Sequence, residues 1–105
     1  MVKKRTYSKY AQEAALLLGK QIRLARKQRK WSEKNLADRA GISRATLQKI
    51  ENGEMTCAIG LVFEAAALVG LNLFEQDKLP LSVNIKNTSN MIALMPRRIK
   101  SKTKA

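Results

Sequence analysis

The chain has 105 residues and 45% hydrophobic content, enough for one small packed domain with little room for a second. Its 21 Lys and Arg against 8 acids give a net charge of +13 and point to a polyanionic partner, nucleic acid ahead of a membrane surface. There is no His and one cysteine, Cys57, which excludes an internal disulfide, His- or Cys-based metal sites, and Ser-His or Cys-His catalysis. With no clustered acids or glycine-rich phosphate loop either, the expectation is a binding protein, neither an enzyme nor a holder of a cofactor or metal.

In chain order, MVKKRTYSKY followed by AQEAALLLG has the outline of a secretory leader, but Gln12 and Glu13 interrupt it and the apolar run is short. No run approaches the ~20 apolar residues of a membrane span, so no membrane partner and a cytoplasmic, nucleoid-associated location are expected. Ser8 predicts the cap of a first helix reaching about Lys30, with Ala11, Ala14, Ala15, Leu18, Ile22 and Ala25 at spacings of three and four. Gly19 inside it reads as a small weakness. Lys20, Arg23, Lys27 and Lys30 fall largely on its other faces.

Ser32 predicts the cap of a second helix over 33–40 that Gly41 stops, and Ser43 that of a third over 44–51, closed by the Asn52-Gly53 turn. A fourth helix is expected after Thr56, ending at Gly70, with Cys57 as a buried filler. It carries two apolar stripes, Ile59, Val62, Phe63, Ala66 and Leu61, Ala65, Leu68; one can meet the core and the other a second subunit. LNLFEQ (71–76) reads as a short fifth helix covering the core with Leu73 and Phe74. Beyond Pro80, LSVNI alternates like a short strand, TSNMIALM suggests a helical turn or two from Thr88 or Ser89 to Pro96, and RRIKSKTKA reads as a mobile basic tail. The charge divides likewise: residues 1–55 carry net +9, residues 56–96 net −1, and residues 97–105 net +5.

Residues 33–52 are the most specific part of the chain. Two short helices joined by a tight turn cross steeply when their contact is small, which Ala37 permits, and Gly41 supplies a positive φ for the turn. Leu36, Ile42, Leu47 and Ile50 then anchor the pair to the core. Over residues 16–76, and above all IRLARKQRKWSEKNLADRAGISRATLQKIENG, the sequence resembles the helix-turn-helix family of phage Cro and repressor proteins, the XRE family. Ile22, Arg26, Ser32, Leu36, Ala37, Gly41, Ile42, Ser43, Leu47, Ile50, Glu51, Asn52 and Gly53 stand at the places that carry the likeness.

The resemblance implies an all-α, five-helix, lambda-repressor-like DNA-binding domain with a short C-terminal arm. The expected division is residues 1–15 as a basic extension of the first helix, 16–76 as the DNA-binding domain, and 77–105 as arm and tail. It also implies binding of double-stranded operator DNA as a homodimer, and a buried Arg26–Glu51 ion pair between the first and third helices. Both residues of that pair lie on sides the core must cover. The third helix becomes the recognition helix, with the second resting on the DNA backbone. Arg44 then suits guanine and Gln48 adenine; Lys49 suits guanine or phosphate, and Ala45 and Thr46 offer methyl groups to thymine. Ser43 caps this helix at the DNA surface, and Ser32, Lys34 and Asn52 are candidates for phosphate contact. Solvated side chains are the plain alternative for each surface base. Position 33 commonly carries Gln in the family; Glu33 here would repel phosphate unless paired with a base such as Arg44.

ISRATLQKIENGEMTCAIGLVFEAAALVGLNLFE, followed by an arm ending in MPRRIK, is similar to the antitoxins (HipB-type) paired with HipA-type kinase toxins. That likeness implies an autoregulating repressor that also binds a toxin kinase. Leu61, Ala65, Leu68, Met91, Ile92, Leu94 and Met95 are the candidate dimer or partner contacts; packing of the last four onto the chain's own fourth helix is the alternative. A phage-type or host repressor without a toxin, or a basic RNA-binding protein, also remains open.

Overall fold

The computed structural model describes residues 5–74 and 78–98. Five helices run through it: α1 (Lys9–Gln28), α2 (Glu33–Ala40), α3 (Arg44–Glu51), α4 (Ile59–Leu68) and α5 (Leu81–Ala93). Among the described residues there is no strand, and the fold is all-α. No helix among them is long and apolar enough to cross a membrane. The chain divides into two compact units, Met1–Asn72 and Leu73–Ala105.

Serine caps set the starts of α1, α2 and α3 in the first unit. Ser8, Ser32 and Ser43 sit in extended conformation and accept hydrogen bonds from the amides of Ala11, Asn35 and Thr46. At α2 the cap is reciprocal, because the Asn35 side chain accepts from the Ser32 amide at 3.2 Å. Gly41 ends α2 at φ 71°, a conformation that L side chains resist, and Ile42 returns its amide to the Ala37 carbonyl at 3.0 Å.

α2 packs against α3 and α4, and α1 against α3. Ile22, Leu36, Ala37, Leu47, Ile50, Ala65, Ala66 and Val69 form the core. α1 and α3 approach closely at Gly19: a Cβ there would lie 2.6 Å from the backbone oxygens of both Ile50 and Glu51. The glycine that reads as a weakness of α1 is therefore what lets α1 reach the C-terminal end of α3.

Several expectations need correction. Helix α4 starts after Thr56, as expected, at Ile59, because Met55–Cys57 turn and Ala58 is extended, and it ends at Leu68, two residues short of Gly70. Its stripes do not separate into a core side and a partner side: Ala65 and Ala66, one from each stripe, are both fully buried, which removes Ala65 from the interface set. Residues 71–74 are not helical, and Phe74 is 62% exposed rather than covering the core; residues 75–77 lie outside the described set.

In the second unit, LSVNI is no strand, and TSNMIALM does not begin a helix of its own. Both belong to α5, which Pro80 precedes and Leu94 caps. Five alternating residues with no second strand would leave backbone groups unpaired, whereas a helix satisfies them internally. Helix α5 has no buried residue; Met91, Ile92, Leu94 and Met95 are 59–86% exposed. The basic ends fall mainly on residues 1–4 and 99–105, outside the described set.

Candidate nucleic-acid interface

Helix α3 divides its residues by period. Leu47, Ile50 and Glu51 are buried, while Arg44, Ala45, Gln48 and Lys49 are exposed, with Asn52 just beyond the helix also exposed. Thr46 is half-buried. A helix of eight residues has two turns, so its outward strip is short and its members share one surface.

The buried side is held by charge. Glu51, 2% exposed, accepts from Arg26 Nε at 2.8 Å and from a terminal Arg26 nitrogen at 3.0 Å, a bidentate pair between α3 and α1. The hydrogen bond to Glu51 raises the Arg26 pKa above its ordinary value against the opposing effect of burial. Arg26 also donates to the Trp31 carbonyl at 3.0 Å, anchoring the chain just before α2.

Arg23 adds a contact that the sequence reading missed. It donates to Glu51 at 3.2 Å and to the Asn52 side-chain carbonyl at 3.0 Å. Its place three residues before Arg26 puts both guanidiniums on one helix side, and that spacing was the available clue. Two cations thus meet the C-terminal end of α3, where the helix dipole favours positive charge.

Several of the other candidates have internal partners as well. Ser32 and Ser43 spend their hydroxyls on the caps, Ser43 also donating to Thr46 Oγ1 at 3.0 Å. Lys34 pairs with Asp38 one turn on, at 2.8 Å. Such an exposed pair adds little stability and can open toward a phosphate. Trp31 has the Arg39 guanidinium 4.2 Å from its ring centroid and that of Arg29 at 5.3 Å.

At Glu33 the structure meets the condition set by the sequence. One oxygen, Oε1, accepts from Arg44 at 3.3 Å and from Gln48 Nε2 at 3.0 Å. These bonds, Gln48 first and then Arg44, hold the Glu33 carboxyl below its ordinary pKa. Cys57, half-buried, has its thiol pKa pushed up by burial, with the Glu54 carboxylate nearby adding to it. Among the described residues no cluster of His, Cys, Asp or Glu could hold a metal ion.

Two short packed helices joined through the Gly41 turn, the second carrying Arg44 and Lys49 on its outward side, are the arrangement of a DNA-binding helix-turn-helix protein. A family model described as Helix-turn-helix (HTH_3) matches residues 22–75, just over half of the chain. The chain belongs to that family and is a DNA-binding transcription regulator of the Cro/repressor type. Comparison with curated proteins and with solved structures finds no match.

Proposed function

We propose that the chain is a repressor that reads operator DNA as a homodimer, placing α3 in the major groove. The observation carrying this reading is the outward strip Arg44, Ala45, Gln48 and Lys49 on a helix whose other side is buried. Arg44 pairs with guanine and Gln48 with adenine, and Ala45 and the half-buried Thr46 meet thymine methyls. Lys49, Asn52 and Lys34 approach phosphates. Ser32 and Ser43 act through their caps, which fix the helix ends at the DNA surface.

Arg44→Ala is expected to cost about 1–3 kcal/mol on the preferred duplex and to relax preference at one base position. Lys34→Ala should weaken all duplexes about equally and reduce the salt slope. Binding isotherms on the promoter region upstream of the gene, on random duplex and on structured RNA, at stated salt, distinguish the readings. Equal losses for both variants on every DNA would argue against groove readout, and a preference for RNA would favour the RNA-binding alternative.

The homodimer draws on the exposed apolar residues Leu61, Met91, Ile92, Leu94 and Met95, with Leu68 partly exposed. For a dimer, protected half-sites lie one helical turn apart (~34–36 Å) or a multiple of it. Ile92→Lys is expected to shift the protein toward monomer in sedimentation and to cut operator affinity; an unchanged dimer would move the interface elsewhere. The antitoxin reading, with a HipA-type kinase as second partner, is supported by the wording of residues 42–75 and of MPRRIK. Co-purification of a kinase encoded beside the gene tests it, and failure to bind that product leaves a repressor without a toxin.

A further inference from the structure

Glu33 is an acid beside an outward strip whose charged members, Arg44 and Lys49, are both cations, and both its partners are side chains assigned above to base reading. Arg44 and Gln48 lie one turn apart on α3, and a single carboxylate oxygen from α2 takes a hydrogen bond from each. The Glu33 side chain is 29% exposed against 62% for Arg44, so the acid lies beneath the outward strip.

We propose that Glu33 determines the specificity of this interface, bridging Arg44 to Gln48 so that both are oriented for base edges while its charge weakens binding to unmatched DNA. This rests on the reading of α3 as the base-reading helix.

The hydrogen-bond inventory allows it. A guanidinium has five N–H donors, so Arg44 can give one to Glu33 and keep two for guanine O6 and N7. A glutamine amide has two N–H donors and one carbonyl. Gln48 can give one hydrogen to Glu33 and keep one donor and one acceptor, which is what adenine N7 and N6 require. Held side chains lose less freedom on binding than free ones.

Charge acts on the other side of the balance. Glu33 neutralises Arg44 before DNA arrives, which subtracts about one cation from the phosphate attraction common to all sequences. Only a base edge that satisfies the donors left over compensates for that loss. Because one oxygen serves both donors, the two base positions are also coupled: moving Arg44 disturbs Gln48.

The test compares wild type, Glu33→Ala and Glu33→Gln, each checked for folding by circular dichroism, in selection from a randomised duplex library. Isotherms on the recovered duplex and on random duplex across a salt series follow. Glu33→Ala is expected to bind random duplex more tightly, with a salt slope steeper by about one, while the ratio of selected to random affinity falls roughly tenfold. Preference should fade at two adjacent positions together. Glu33→Gln, which keeps the shape and removes the charge, should tighten random binding with a smaller loss of preference; it carries the test if the alanine variant does not fold. In wild type, Arg44→Ala should also blur the position read by Gln48, and in the Glu33→Ala background it should not.

Equal changes on both duplexes, or no change, would overturn the proposal and leave base reading by α3 standing. A wild-type protein that enriches no motif would overturn base reading itself, and this proposal with it.

Discussion

Replacing Glu51 with Ala is expected to destabilise the first unit by about 3–5 kcal/mol, read as a fall in the urea midpoint at unchanged slope. The variant leaves the Arg26 guanidinium, only 6% exposed, as a buried charge without its partner. Arg23, whose side chain is 40% exposed, can turn to water; Arg26 cannot. Small domains have ~5–15 kcal/mol of stability in all, so the loss takes a large share of it. Because the desolvated pair adds little net stability compared with apolar packing, the double variant Arg26→Met with Glu51→Leu should recover most of the loss. A Glu51→Ala protein within 1 kcal/mol of wild type would mean that water reaches Arg26 and that the pair is not a buried one.

Gly19→Ala is expected to cost about 2 kcal/mol, although alanine is the better helix former. Alanine in an exposed helix interior gains ~1 kcal/mol over glycine. Here its Cβ would sit 2.6 Å from two carbonyl oxygens at the end of α3, backbone atoms that cannot rotate away. Overpacking of that kind costs about 1–3 kcal/mol, here at the upper end, so it outweighs the propensity gain. The strain is relieved only by moving α1 away from α3, which disturbs Arg26 and Glu51 as well. DNA affinity should therefore fall along with the melting temperature, whereas Gly→Ala in an open helix would raise the melting temperature. A Gly19→Ala variant that melts higher and binds as before would show that the helices are not in contact there.

These two residues mark the limit of what could be read in advance. Glu51 was legible as a partner for Arg26 because the family resemblance and the sidedness of both helices agree. The close approach at Gly19 was not, since local propensity sees only the helix that contains it. Arg23 went unassigned because its spacing from Arg26 points to Glu51 only once the carboxylate, 28 positions away, is known to lie against that side of α1. Glu33 was visible as an anomaly, but that one oxygen serves both Arg44 and Gln48 is a fact about two helices at an angle. The error at residues 81–85 has a different origin. Five alternating residues fit a strand or a helix equally well locally, and only the presence or absence of a second strand decides.

The sequence by itself determined the serine caps, the Gly41 turn and the division of α3 into buried and outward residues. All of these are set by bonds and periods within about four residues. The tertiary structure decided what two elements must share: the space at Gly19, the burial of Ala65 and Ala66 together, the second arginine on Glu51, and the Glu33 bridge across the outward strip. Such features depend on distances between atoms far apart in the chain, and no local preference encodes them.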